Sequence, residues 1–412
     1  MFDAHQHQAD FPILARQIHG DKHLVYLDNA ATSQKPAVVI DAISDYYRQH
    51  NANVHRGIHQ LGDESTKLFH SSRQNIAAFF GAKVEELIIT RNATEGINQI
   101  ACTWGDAHVQ AGDVIVATEM EHHSNLVPWQ ELAARRQARL ELVEVLPDGR
   151  LNLEHLEKIA KAAGAKLKVF TFVHISNTLG TLNPVDECIA MVKKYAPNAK
   201  VLIDGAQAAP HIPVDFAKID ADFYAISAHK MLGPMGIGGV LVKQKTLQNL
   251  PPFLFGGGMI NEVTLEKTTF AEDLEERFTA GTPDVASLVS WAAAVAYLQN
   301  IGMKELQAHD HKLVEYALEQ LQKLPQIQIV GPLTRRVGSV AFVYNGVHAH
   351  DVGQILDSEG VAVRSGHHCT MPLHTKFGWL ATVRISFQLY NSREDVDACV
   401  TALQKVARVF AH

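Results

Sequence analysis

The sequence predicts an α/β protein, with a large domain built on a mainly parallel sheet and a second, smaller α+β domain. Three observations predict it. The 412 residues exceed the usual span of a single hydrophobic core. Short apolar runs alternate with helix-like segments through the middle of the chain: Leu87–Ile89, Val114–Val116, Val169–Val173, Val201–Ile203 and Gly239–Val242. Strands separated by helices pair in parallel, with both sheet faces covered. The pattern then changes near Trp291–Gln299, an alanine-rich helix that leads into Gly302. An amphipathic helix over Leu306–Leu324, a strand over Gly338–Tyr344 and a closing helix complete the second domain. The boundaries are placed at 20–295 for the large domain, and at 1–19 with 296–412 for the small one.

Composition narrows the function. Hydrophobic residues make up 47% of the chain and charged residues 20%, as in a soluble globular enzyme. With 37 basic and 44 acidic residues and a net charge of −7, no overall positive field favours nucleic acid or an anionic membrane, and neither partner is expected. The polar opening, Met1–Asp10, has neither the apolar stretch of a signal peptide nor the ~18 to 20 apolar residues of a membrane span, so a cytoplasmic protein is expected. Cys102, Cys188, Cys369 and Cys399 are scattered without a CxxC pair, which argues against a disulfide framework or a structural zinc site.

The chemistry sits at the predicted strand ends. Ala221–Ile226 is apolar enough for a buried strand, and Lys230 follows it in Ala225–Pro234. Asp204 closes the run Val201–Ile203, 26 residues earlier. A lone aspartate there reads as a helix cap, and a lone lysine as a solvated or ion-paired group. Two such strand ends of one sheet share a crevice, where ligands collect. A buried acid and a lysine in one crevice suit pyridoxal 5'-phosphate: the lysine forms an imine with the aldehyde, and the acid keeps the pyridine nitrogen protonated.

The other needs of that cofactor have candidates too. Ile88–Thr90 followed by Arg91–Gly96 reads as strand, turn and helix start, with Thr94 beside free N–H groups suited to a phosphate. Ser227 and His229 offer further donors, although a strand-end serine is commonly just a satisfied hydroxyl. In Glu119–Asn125, either His122 or His123 could stack on a ring and exchange protons. Adjacent histidines without further ligands rarely hold a metal, and none is expected in the isolated protein.

These residues resemble the class V aminotransferase fold group and, within it, the group II cysteine desulfurases of SufS type with selenocysteine lyase-like activity. The resemblance rests on Tyr26–Thr32, Val54–His59, Glu121–His123, Ser176–Asn177, Asp204–Gln207, Ser227–Lys230, Ala280–Pro283 and Arg364–Cys369. It implies the type I PLP-dependent transferase fold, with a mainly parallel sheet of seven-stranded type. It implies Lys230 as the Schiff-base lysine, His122 stacked on the ring, Asp204 on its nitrogen and Gln207 on its phenolic oxygen. Thr94, Ser227 and His229 would hold the phosphate, with Thr282 supplied by the neighbouring subunit of a homodimer. Asn177 and Arg384 would bind the substrate carboxylate, with Arg364 among the substrate-binding residues. Ala93, Ala228 and Thr279 depart from the family pattern, where threonine, glycine and glutamate are common.

Cys369 lies in a polar loop beside basic groups that favour a thiolate, whereas Cys102, Cys188 and Cys399 read as buried and inert. The reading is a desulfurase that converts L-cysteine to L-alanine, forms a persulfide on Cys369 and hands the sulfur to an acceptor protein of SufU or SufE type, serving iron–sulfur cluster assembly. Its rivals are a selenocysteine lyase, an aminotransferase with no use for Cys369, and a non-enzymatic sulfur carrier. In Gly346–Val352, Asp351 reads as a helix cap. By resemblance, His350 is a zinc ligand only in the complex with a zinc-bearing acceptor.

Overall fold

The computed structural model describes residues 2–55 and 57–410, so Arg56 of the Val54–His59 motif lies outside the described residues. The large lobe holds a seven-stranded sheet: β1 (Leu87–Thr90), β2 (Val114–Thr118), β3 (Arg139–Val143), β4 (Leu167–Val173), β5 (Lys200–Asp204), β6 (Phe223–Ser227) and β7 (Gly238–Val242). Their spatial order is β1-β7-β6-β5-β4-β2-β3. β7 is antiparallel to both neighbours, and the remaining pairings are parallel. The exception has a simple cause: only residues 228–237 separate β6 from β7, too few for the crossover of a dozen or more residues that a parallel return requires. β3 has no counterpart among the predicted apolar runs. It is the edge strand, and Arg139 and Glu141 interrupt its apolar residues.

Helix α1 (Ala93–Ile100) begins directly after β1. The long apolar α2 (Val285–Ile301) meets α3 (Met303–Gln322) at 77°, and Gly302 makes the bend with a φ of 90°. No single helix among the described residues is long and apolar enough to cross a membrane. The small lobe adds β8 (Ile327–Val330), β9 (Ser339–Tyr344), α4 (Ala349–Ser358), β10 (Arg364–Gly366), β11 (Thr382–Ser386) and α5 (Arg393–Val409). Its four strands form an antiparallel sheet in the order β8-β9-β11-β10. Leu313, Phe342, Val383 and Leu403 belong to a separate core between this sheet and its helices. Val25 and Leu27, expected in the large domain, pack into this second core, because Val25 and Tyr26 pair in parallel with Val361 and Ala362. Phe11 and Leu14, expected in the small domain, pack instead into the main core, so the chain starts against the large lobe, passes through the small one at Val25–Leu27 and returns near Asp28.

Gly205, next to Asp204, has no room for a side chain. A Cβ there would lie 1.9 Å from Cε1 of the fully buried Tyr224. Gly205→Ala is therefore expected to cost about 1–3 kcal/mol by overpacking. The denaturation midpoint measures this; an unchanged midpoint would show that Tyr224 moves aside freely.

Candidate active site

A cavity of about 620 Å³ opens where β4, β5 and β6 end, between the two lobes. Asp204, the last residue of β5, is buried in its wall, and its Oδ1 accepts the Ala206 N–H at 3.0 Å. Burial raises the Asp204 pKa, against the opposing pull of Lys230 and of that hydrogen bond. Lys230 ends the short 3-10 turn Ala228–Lys230 that follows β6. Burial lowers its amine to about 8, Asp204 opposes the shift and Arg384 adds to it. The two groups form no ion pair among the described residues, so the bland reading of Lys230 as Asp204's structural partner falls away. An amine that sheds its proton near neutrality is available as a nucleophile.

His122 follows β2. Its Nδ1 accepts the Ser124 N–H at 3.1 Å and lies 2.9 Å from the Ser124 hydroxyl, which places the proton of the neutral ring on Nε2. Burial lowers its pKa to about 3, with Lys230, His123 and Arg384 adding, so the ring is neutral at physiological pH. The turn beneath it is tied down by the fully buried Glu121. Its carboxyl group, whose pKa burial pushes up to about 8 against these contacts, takes hydrogen bonds from the Thr118 hydroxyl, from Asn125 Nδ2 at 2.6 Å and from the Val173 N–H at 3.1 Å. The sequence shows Glu121 only as a motif residue: Thr118 and Asn125 lie within four positions of it, but the third donor, Val173, comes from β4.

The N-terminus of α1 forms another wall. Asn92 caps the helix through the Glu95 N–H at 3.0 Å, the Ala93 N–H donates to Ser227 Oγ at 2.9 Å, and Thr94 Oγ1 lies 2.7 Å from Ser124 Oγ. A helix N-terminus with these hydroxyls suits a phosphate. Ala93 removes a hydroxyl from this wall, yet its N–H is what links α1 to Ser227. His229 lines the same cavity, its pKa lowered to about 4 by burial, Lys230 and Lys35.

The opposite wall belongs to the small lobe. Arg384 on β11 is buried; it donates from Nη1 to the Asn177 carbonyl at 2.8 Å and reaches Asp28 Oδ1 at 3.5 Å. Arg364 grips the same aspartate in a fork, from Nε at 3.0 Å and Nη2 at 2.8 Å. Asp28 thus orients both arginines, a role its position after an apolar tripeptide does not reveal. Arg384 Nε, Asn177 Oδ1 and His368 Nδ1 are buried without a hydrogen-bond partner, and all three residues line the cavity. Each such atom costs about 1–3 kcal/mol if left unsatisfied, so the wall is built to receive a polar ligand. One wall offers an acid, an amine, a flat imidazole and a helix N-terminus, and the other offers orphaned donors and acceptors. That set fits pyridoxal phosphate together with an amino acid.

Cys369 is exposed at the cavity rim, with Lys230, Arg364 and Arg384 carrying their charges close to it. Cys188 and Cys399 are buried, and burial pushes both thiols up to about 12. Cys102, expected to be buried, is instead exposed on the turn Ala101–Gly105, because the helical pattern around it turns its side chain away from the core. Gln207 lines the cavity while its Nε2 donates to the Ala30 carbonyl at 2.7 Å. Thr282 is exposed and does not line the cavity of its own chain. His350 is exposed on α4, outside the cavity, and the cap of that helix is His348, whose Nδ1 accepts the His350 N–H at 3.2 Å, rather than Asp351.

The aminotransferase class-V family matches residues 25–399. The chain belongs to the class-V aminotransferases, in the cysteine desulfurase family. Over 417 residues it is 46% identical to a probable cysteine desulfurase of Streptomyces coelicolor, covering 100% of this chain and 98% of that protein. It is also 46% identical to a cysteine desulfurase of Haloferax volcanii, covering 98% and 97%. Among solved structures, a cysteine desulfurase from Thermococcus onnurineus superposes with a TM-score of 0.91 at 37% identity, covering 98% of both chains. CsdA of Escherichia coli, a cysteine desulfurase, gives 0.90 at 31%, covering 99% of both. The seven-stranded sheet with its α+β lobe is accordingly the PLP-dependent transferase fold, and the protein is an enzyme of the cysteine desulfurase type.

The exposure pattern predicts the thiol chemistry of the folded desulfurase. Iodoacetamide is expected to label Cys369 and Cys102 and to spare Cys188 and Cys399, as read by peptide mapping. Labelling of Cys399 at a similar rate would contradict its burial.

Proposed function

We propose that this desulfurase uses pyridoxal 5'-phosphate to convert L-cysteine and the Cys369 thiol into L-alanine and a Cys369 persulfide. The observation that carries the reading is Cys369 at the rim of the cavity that also holds Lys230, Asp204 and Arg384. Bound there, the cofactor supplies the electron sink that makes the substrate's Cα proton and C–S bond labile. Lys230 would carry it, Asp204 would face its ring nitrogen, and Thr94, Ser227 and His229 would surround its phosphate.

The chain's own groups do the rest. Arg384, oriented by Asp28, would grip the substrate carboxylate, with Asn177 lining the cavity beside it. The lowered pKa of Lys230 lets the freed amine take a proton from Cα and return one. His122, neutral with its proton on Nε2, would offer a hydrogen-bond donor to the bound cofactor and substrate. Cys369 Sγ forms a bond to the substrate sulfur as the C–S bond breaks. The thiol proton and the two bonding electrons end on the carbon that becomes the alanine methyl group, so no external oxidant or reductant is required.

The homodimer expected from the resemblance finds support in exposed apolar side chains near Thr282. Leu254 and Phe255 are exposed, and the adjoining Gly257 carbonyl accepts the Gly281 N–H at 2.8 Å. For the acceptor, we propose a SufU- or SufE-type sulfur carrier serving iron–sulfur cluster assembly, with exposed His350 as the residue that a zinc-bearing acceptor would engage.

Two outcomes test these readings. Cys369→Ala should still bind cysteine, shown by its effect on cofactor absorbance, but form no protein persulfide; desulfuration of cysteine at the wild-type rate would remove Cys369 from the mechanism. His350→Ala should keep the slow persulfide formation expected without an acceptor and lose most of the stimulation by a zinc-bearing acceptor. Equal stimulation of both proteins would refute the His350 assignment.

A further inference from the structure

The second histidine of the His122–His123 pair has no part in the chemistry above, yet it touches the loop that carries the nucleophile. The His123 N–H donates to the Cys369 carbonyl at 2.8 Å, and its Nε2 accepts the Met371 N–H at 3.1 Å. One residue of the large lobe thereby holds the small-lobe main chain at two points, with only Thr370 between them.

The loop needs such holding. His368 and Cys369 are consecutive non-glycine residues in the left-handed region, with φ of 50° and 57°. That backbone is disfavoured for residues with a side chain and persists only where its surroundings fix it. Two further bonds flank the site: Asn177 Nδ2 donates to the His368 carbonyl at 2.7 Å, and the Thr178 and Thr370 hydroxyls lie 2.9 Å apart. Of these partners only His123 bonds to Cys369 itself, through its main-chain N–H, while its ring fixes Met371 two residues on.

We propose that His123 is a positioning residue whose ring, through Met371, holds the Cys369 loop in the geometry for sulfur transfer, and that the ring does so only as a neutral imidazole. An N–H directed at Nε2 requires a lone pair there, so the ring carries its proton on Nδ1. Protonation turns Nε2 into a donor facing the Met371 N–H and breaks the contact. The titratable groups around it are His122 on its own turn, with ring centroids 6.4 Å apart, and His367 and Cys369 on the opposing loop; the Lys376–Glu119 ion pair bridges the same two segments. Burial and His367 both lower the His123 pKa below the ordinary histidine value. The contact is therefore intact at neutral pH and is lost as the pH falls through that lowered pKa. The inference rests on Cys369 being the sulfur acceptor.

The test compares holoenzyme with His123→Leu, which removes the acceptor, and His123→Gln, whose amide oxygen replaces Nε2 without titrating. Hydrogen-exchange protection of the Met371 amide, between about pH 5 and 8, should fall with pH in the wild type, be low throughout in the Leu variant, and be high and pH-independent in the Gln variant. Single-turnover persulfide formation should slow roughly ten- to a hundredfold in the Leu variant, with cysteine affinity unchanged, and recover in the Gln variant. Wild-type protection and rate in His123→Leu would overturn the proposal, as would the wild-type pH dependence surviving in His123→Gln. Should His123→Leu fail to fold, the Gln comparison alone decides. Desulfuration by Cys369→Ala at the wild-type rate would instead overturn the underlying reading, and the Met371 exchange pattern would stand apart from that result.

Discussion

Everything at this site depends on keeping a buried acid and a buried amine in one cavity without letting them pair. β5 and β6 are parallel neighbours about 4.8 Å apart, with Asp204 opposite Ala225 and β6 running two residues further. A lysine beside Asp204 on β6 would pair with it. The additional turn Ala228–Lys230 carries the amine past that point. Burial then raises the acid and lowers the amine, and each charge only partly offsets the shift of the other. Two buried ionisable groups held apart are less stable than the same groups joined, and the fold accepts this where their chemistry is needed.

The segment that crosses between the lobes keeps both ends of this arrangement in place. Asp28 holds Arg364 and Arg384 of the small lobe, while four donors a few residues later converge on the carbonyl of His229, the residue before Lys230. They are the Ser33 N–H, Ser33 Oγ and Thr32 Oγ1, each at 3.1 Å, and Lys35 Nζ at 2.9 Å. Lys35 has no carboxylate partner among the described residues, and burial lowers its amine to about 7. The two arginines and the lysine turn are thus referenced to one short stretch, which couples the position of one wall of the cavity to the other.

The parts of this design that were legible in the sequence are those written in local pattern. The central strands are continuous apolar runs, so β4, β5 and β6 fell close to their predicted places, and Asp204 and Lys230 stood out as polar residues at their ends. β3 was not legible, because an edge strand with charged residues lacks that signature. Asp28 was visible only as a letter in a motif, and His123 only as an alternative to His122 for stacking on the ring, since their contacts are with residues more than 200 positions away. Cys102 was misjudged for a related reason: an apolar neighbourhood in sequence does not say which side of a helical turn faces out. The cap of α4 moved from Asp351 to His348 because an imidazole Nδ1 can accept from a helix N–H as a carboxylate does.

The geometry around Cys369 also constrains how sulfur leaves the enzyme. A cysteine on a long free loop can carry a persulfide outward to meet its acceptor. Here main-chain or side-chain atoms of His368, Cys369, Thr370 and Met371 are each hydrogen-bonded to the large lobe. Such a loop holds its sulfur where it forms, which suits attack on a substrate but not delivery over a distance. Cys369 is nevertheless exposed, whereas Cys188 and Cys399 are not. Fixed position and access together mean that an acceptor must bring its own reactive atom to the rim of the cavity. Met371, at the start of the following helix, is exposed beside it, so this part of the rim is open to solvent.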